Sequence, residues 1–392
     1  MPSVSASIDV GRPTALADEP LRIRVGGLHP GEQVAVTSRA VDREGLSWSA
    51  QARFTADGNG MVELTRQKPV SGTYDRVDGM GLFWSMRPHE GEADESWFLP
   101  DTPVREPPHE VRIAVRAGNR EIAHRTVVRQ WRAEGVRHRE LSVAYDGLDA
   151  VLFLPRPGAP RAAPVLLIGG SEGGRSLDRE AAPLASRGHP ALSVRYFGCP
   201  GRPDRLRDID LEYFVRAARL LTSQTGAAPD RLAVLGASRG SEAAQLLAQY
   251  HPTLVRDAVA MAPVTRTHFP QAGSEADTAS WRSAGRLVLL ERIPLDRVRG
   301  TVLAVAGRKD RLWLSADAAE SIAQRIKATG SRHRALIYDG AGHGVAGVPY
   351  LASGRYLQAP GAKEWTDLGG TQADDAHAKA DSWPRVLDLL DR

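Results

Sequence analysis

Cysteine is almost missing from this chain of 392 residues. Cys199 stands alone, so no intrachain disulfide can form and a cysteine-based metal site is not expected. Lysine is also scarce, confined to Lys68, Lys309, Lys327, Lys363 and Lys379, with arginine taking its place. The net charge is only +4, arginines alternate with acids, and no basic run is interleaved with aromatics, which argues against a nucleic-acid partner. No apolar stretch approaches the roughly 18–20 residues of a membrane span. The opening MPSVSASIDV has neither a charged n-region nor an apolar h-region, and the final LLDR carries no peroxisomal address. No HExxH or paired-histidine spacing occurs among the 11 histidines, so no metal and no bound cofactor are expected. These absences leave a cytoplasmic globular protein with no membrane contact as the expectation.

What is present falls into two halves with different periods. From about Leu21 to Trp131 apolar residues alternate: LRIRV puts Leu21, Ile23 and Val25 on one face, and VRIAV does the same with Val111, Ile113 and Val115. EQVAVTSRA, SWSAQARFTA, GMVELTR and EIAHRTVVRQW continue the pattern between the turns HPGE, DREG, ADGNG and RAGNR. Short strands at this spacing predict an antiparallel sandwich of immunoglobulin-like size, with Val70 to Pro108 as a long irregular insertion. Beyond about Arg137, LSVAYDG, DAVLFLP, APVLLIGG, HPALSVRY, RLAVLGAS, VRDAVAMAP, TVLAVAGRKD and RALIYDG read as strands, most of them separated by helical stretches such as Leu211 to Leu221 and Ser315 to Thr329. Apolar strands alternating with helices predict a mainly parallel sheet covered on both faces. The expected organisation is a β-sandwich over 1–137 and an α/β-hydrolase fold over 138–392.

The chemistry centres on LAVLGASRGSEAAQLLAQY, Leu232 to Tyr250. A bounded apolar strand runs into Gly236-x-Ser238-x-Gly240, and Ala243, Leu246, Leu247 and Tyr250 then recur along one face of a helix. Strand, Gly-x-Ser-x-Gly and helix make the context of a nucleophile elbow, although many α/β proteins carry a glycine-rich turn at such a junction. A serine hydroxyl needs a histidine to take its proton and a carboxylate to orient that histidine. In α/β hydrolases the order along the chain is serine, acid, histidine. TVLAVAGRKD runs straight into Asp310, and RALIYDGAGHG places His343 between glycines after a later strand. Asp339 reads as a turn acid, His251 as a helix end, His333 as the start of a strand and His377 as part of a polar tail. An oxyanion hole needs two backbone N–H groups. Arg239 follows the nucleophile, and Ser171, or its neighbours Gly170 and Glu172, follows an earlier strand in APVLLIGGSEGGRS. That loop also fits a phosphate-binding pattern with Arg175 in place of lysine, but the lysine on the β/γ-phosphates is what such a loop requires.

With these residues placed, the chain resembles the acyl-CoA thioesterase / bile acid-CoA:amino acid N-acyltransferase family. LGASRGSEAAQLLA looks like that family's Ser-[Lys/Arg]-Gly-x-Glu elbow, Glu242 included. VRYFGCPGRPDRLRDIDLEYF resembles its Tyr-Phe-Gly and Leu-Glu-Tyr-Phe segment, and DEPLRIRVGGLHPGEQV with GMGLFWSM its N-terminal sandwich. The tail from Val348 through GGTQADDAHAKADSW is similar too. The resemblance implies an acyl-enzyme drawn from a coenzyme A thioester and passed to water or to an amino-acid amine. Conjugating members tend to carry cysteine at the elbow, so Ser238 points toward hydrolysis, while Arg239 departs from the usual lysine. Coenzyme A would be substrate, with Arg202, Arg205 and Arg207 as candidates to meet its phosphates. The competing expectations are transfer to an amine or alcohol acceptor, and a non-enzymatic protein with a relic site. Cys199, off the elbow in YFGCPG, reads as a passive loop residue.

Overall fold

The computed structural model describes residues 5–100, 104, 108–160, 162–173, 177–225, 231–267, 280–289, 292–358 and 363–392. Arg175 lies outside them, as do residues 101–103 and 105–107 of the predicted insertion. The chain separates into two compact units, one of residues 1–131 with 348–358 and 363–366, the other holding most of the remainder.

The first unit is a β-sandwich of antiparallel strands, with one parallel pair between Thr14–Leu16 and Arg120–Gln130. Its long strands, Gln33–Val41 and Ser47–Thr55, bury alternate residues, as period-two patterning requires. The stretch read as an irregular insertion is well packed: Tyr74, Met80, Leu82, Phe83, Trp84, Met86 and Phe98 are all buried. The change of period predicts a boundary at residue 137, with the whole tail in the second domain. Backbone pairing ties part of the tail here, with Phe98 N–H donating to Ala352 O at 3.0 Å and Arg355 N–H to Asp94 O at 2.7 Å.

The second unit is built on a sheet of eight strands. In chain order they are β1 Arg137–Leu141, β2 Asp149–Leu154, β3 Val165–Ile168, β4 Ala191–Arg195, β5 Leu232–Ala237, β6 Val255–Met261, β7 Val302–Gly307 and β8 Arg334–Tyr338. Their spatial order is β1-β2-β4-β3-β5-β6-β7-β8, with β2 antiparallel to both neighbours and all later pairs parallel. This is the α/β-hydrolase arrangement. LSVAYDG is not a strand: β1 ends at Leu141, and Val143–Asp146 forms one helical turn closed by Gly147 at φ 70°.

Five helices matter for the site: α1 Asp178–Ser186, α2 Leu211–Thr225, α3 Arg239–Tyr250, α4 Ser315–Gln324 and α5 Gln372–Leu390. The helix read from Ser315 to Thr329 stops earlier, and Arg325 is already extended. The sequence marks one apolar face of α3, yet every residue from Arg239 to Gln249 is buried. A helix enclosed on all sides belongs at the middle of a core. β5 is likewise buried at each of its six residues, so the elbow is held between two fully enclosed elements.

Candidate active site

Ser238 sits at the turn from β5 into α3 with φ 53° and ψ −120°, a conformation L-residues rarely adopt. Its N–H donates to Met261 O at 2.9 Å, and its carbonyl accepts Ser241 N–H at 2.9 Å. Gly240 is required by space, because a Cβ there would collide with the Ile168 carbonyl at the end of β3. The motif's spacing thus follows from how closely α3 passes the neighbouring strand.

The structure brings Ser238, His343 and Asp310 together. His343 Nε2 lies 3.0 Å from Ser238 Oγ, and His343 Nδ1 lies 2.8 Å from Asp310 Oδ2. The other carboxylate oxygen, Oδ1, accepts backbone N–H groups from Leu312 at 2.8 Å and Trp313 at 3.2 Å. An acceptor carboxylate facing Nδ1 puts the imidazole proton there and turns the Nε2 lone pair toward the hydroxyl. The rival groups stand elsewhere. Asp339 is 90% exposed and paired with Arg308, and His251 closes α3. His333 Nδ1 accepts Val302 N–H, and burial pulls its pKa down to about 4. His377 stacks edge-on against Tyr338.

Two contributors escaped the sequence reading. Trp313 packs edge-on against the His343 ring, centroids 4.9 Å apart, and its indole N–H donates to Ala262 O at 3.1 Å. The segment Leu368–Gly370 threads between the two loops. Leu368 O accepts N–H groups from His343 at 2.8 Å and Arg311 at 3.4 Å, and Gly369 bridges to Asp310. Gly369 has φ 75°, and a Cβ there would strike the Lys309 carbonyl. The sequence signal for this strap was the Gly369-Gly370 pair in the tail.

The loop after β3 also reaches the elbow: a Cβ on Gly170 would lie 2.9 Å from Ser238 Cβ. Gly170 N–H donates to Glu172 Oε1 at 3.0 Å, so of the three candidate donors in this loop that one is already engaged. Tyr196 donates its hydroxyl to Gly169 O at 2.9 Å and Gly170 O at 3.2 Å, holding this turn. Burial raises the Tyr196 pKa well above its ordinary value and so keeps it a neutral donor.

Behind Ser238, Arg239 turns its side chain inward. Its guanidinium donates to Glu242 Oε1 at 2.6 Å and to the Ser280 hydroxyl, while Trp281 donates to Glu242 Oε2 at 2.8 Å. Trp281 packs with Tyr196 and Phe214, and Tyr213 Oη accepts Asp149 N–H and donates to Arg195 O. The Tyr-Phe-Gly and Leu-Glu-Tyr-Phe segments therefore build the wall that supports the elbow. Arginine at 239 can serve Glu242 and Ser280 at once from its planar fork. Glu242→Ala would strand that guanidinium, so a loss of about 3–5 kcal/mol is expected. Urea unfolding with an unchanged slope and a lower midpoint would show it.

Cys199 is buried, and burial followed by the nearby Asp149 carboxylate pushes its thiol pKa up, the opposite of what a thiolate nucleophile needs. Arg202 stacks on the Tyr213 ring at 4.0 Å, while Arg205 is exposed. No helix among the described residues is long and apolar enough to cross a membrane.

Comparison with known proteins agrees with this architecture. Residues 18–143 match the acyl-CoA thioester hydrolase/BAAT N-terminal region, and residues 282–392 match the BAAT / acyl-CoA thioester hydrolase C terminal. The chain belongs to this family. Among its mouse relatives, acyl-coenzyme A thioesterase 1 is 28% identical over 94% of this chain and 92% of its own length. The mitochondrial acyl-coenzyme A thioesterase 2 of mouse is 27% identical over 94% of this chain and 85% of its own. Mouse peroxisomal succinyl-coenzyme A thioesterase is 26% identical over 94% and 92%. The resemblance read from the elbow and the Leu-Glu-Tyr-Phe segment thus holds for the family, and the α/β-hydrolase fold holds with it.

Proposed function

We propose that this protein is a cytoplasmic serine hydrolase of acyl-CoA thioesters, working through an acyl-enzyme on Ser238. The observation that carries the reading is the continuous hydrogen-bonded line from Asp310 Oδ2 through His343 to Ser238 Oγ, at 2.8 and 3.0 Å, on a strained elbow. In the first step Ser238 Oγ attacks the thioester carbonyl while His343 Nε2 takes the hydroxyl proton. The N–H groups of Arg239 and Ser171 receive the developing oxyanion. His343 then gives its proton to the departing thiol, and the acyl group stays on serine. Water, deprotonated by the same imidazole, releases the acid. Serine at the elbow supports water as the acceptor. Transfer to an amine or alcohol is the second outcome, separated by product analysis with water and candidate acceptors present together.

The donor assignment rests on family membership and has its own test. An enzyme that uses the nucleotide and pantetheine to position the thioester spends remote contacts on the reacting centre. Replacing the coenzyme A donor by a short pantetheine thioester is expected to lower kcat/KM by at least about 10-fold. Added salt is expected to weaken the full donor more, because its phosphates would meet arginines such as Arg205 and Arg207. Arg202, stacked on Tyr213, contributes less to this expectation. Equal kcat/KM for both donors, with equal salt response, would remove coenzyme A and leave a hydrolase for another acyl donor.

A further inference from the structure

A buried charge cluster lies behind the imidazole loop and takes no part in the chemistry above. Asp375 stands in the first turn of α5, just inside its Thr371 cap. Asp375 Oδ1 accepts Gly342 N–H at 2.7 Å, and a Cβ placed on Gly344 would lie 2.5 Å from Oδ2. The carboxylate therefore rests against the backbone on both sides of His343. Lys379 follows one turn later on the same face of α5. Glu180 approaches it from α1, the two side chains lying 3.8 and 3.7 Å from where a Gly347 Cβ would be. Asp375, Lys379 and Glu180 are only 3%, 5% and 3% exposed.

Such a cluster is a poor device for stability, since well-packed apolar side chains generally serve a core as well or better. What it offers is a fixed position for a charged acceptor. The loop Gly340-Ala341-Gly342-His343-Gly344 has little conformational preference of its own and needs outside ties. Leu368 supplies one, to the His343 N–H, and Asp375 supplies the next, one residue earlier. We infer that Asp375 is a positioning residue for His343, with Lys379 locking the carboxylate from behind and Glu180 holding Lys379. The inference rests on the reading of His343 as the base.

The charges around Asp375 give it a pH signature. Burial raises its pKa to about 6 against the lowering effect of Lys379, the Gly342 N–H and His343, with Asp374 adding to the rise. Below that pH the carboxylate takes up a proton and loses its charge toward Lys379. Activity should then fall on the acid side as Asp375 takes up its proton.

The test uses the full chain and octanoyl-coenzyme A, with kcat and KM measured across pH for wild type, Asp375→Ala, Asp375→Asn and Lys379→Met. Asp375→Ala is expected to lower kcat by about 10²-fold, as a misplaced base does, with KM nearly unchanged. Asp375→Asn should lose about 10-fold, because the amide oxygen can still accept from Gly342 but cannot pair with Lys379. Wild-type activity should show a steep acid limb near pH 6 that Asp375→Asn lacks. Lys379→Met removes the cation that lowers the Asp375 pKa, so the steep limb should move to higher pH.

Folded Asp375 variants with kcat within about twofold of wild type and an unchanged acid limb would overturn the inference. So would a lower melting temperature with kcat per folded molecule preserved, since Asp375 would then only pack. Ser238→Ala separates this from the triad reading. If that variant keeps full activity, the triad fails. Amide exchange at Gly342 and His343 still reads the grip without turnover: faster exchange in Asp375→Ala supports it, and unchanged exchange rejects it.

Discussion

Ser238→Ala is expected to yield a folded protein whose kcat is lower by about 10⁴–10⁶-fold. The hydroxyl contributes little to the fold, since its hydrogen bond is to His343 Nε2 and not to the backbone of the core. The backbone of residue 238 stays pinned by Met261 O and Ser241 N–H in either variant, and alanine meets the positive φ no worse than serine does. What disappears is the atom proposed to form the acyl-enzyme, leaving the proposed oxyanion donors and substrate binding to supply any residual rate. Circular dichroism and melting should match wild type while turnover collapses. A fluorophosphonate should add its mass to wild type at Ser238 and add nothing to the alanine variant. A folded Ser238→Ala protein with wild-type turnover would sink the acyl-enzyme mechanism.

The legible parts of this molecule were those where sterics act over a few residues. Gly240 is spaced from Ser238 by the collision its Cβ would make with Ile168, so the elbow carries its geometry in local sequence. The apolar runs of β5 and β7, buried at every position, announced central strands, and the acid follows the end of β7. Where the reading missed, tertiary placement decided. LSVAYDG has the apolar residues of a strand, but the register of β1 on β2 ends at Leu141 and the chain turns away. Ala243, Leu246, Leu247 and Tyr250 mark one apolar face of α3, yet the polar Gln245 and Gln249 are buried as well, Gln245 donating to Val264 O and Gln249 to Asp296. The strap at Leu368–Gly370 and the carboxylate of Asp375 touch the histidine loop from farther along the chain, and the Gly369-Gly370 pair alone does not say which loop it meets. The tail from Val348, which resembled the family as a block, divides between the two units.

Asp310→Asn is expected to cost about 10⁴-fold in kcat with the fold retained, and the structure says which way the amide will turn. Asp310 Oδ1 is the acceptor for two backbone N–H groups, from Leu312 at 2.8 Å and Trp313 at 3.2 Å. An asparagine keeps its carbonyl oxygen there, because turning its NH2 toward those N–H groups would set donor against donor and lose both hydrogen bonds. The NH2 then occupies the place of Oδ2, 2.8 Å from His343 Nδ1. A donor facing Nδ1 makes that nitrogen the acceptor and moves the imidazole proton to Nε2, beside Ser238 Oγ. An Nε2–H cannot accept the serine proton, so the base is present, in position, and in the wrong tautomer. Trp313 still packs on the ring and the Leu368 carbonyl still holds the His343 backbone N–H, so the defect is one of protonation and not of placement. Nitrogen-15 spectra of the imidazole should show the proton on Nδ1 in wild type and on Nε2 in the variant, with melting temperatures close together. Asp339→Asn, at an exposed residue paired with Arg308, should leave kcat within about twofold. Near wild-type turnover in Asp310→Asn, together with a large loss in Asp339→Asn, would hand the orienting role to Asp339 and break the line of hydrogen bonds on which the mechanism rests.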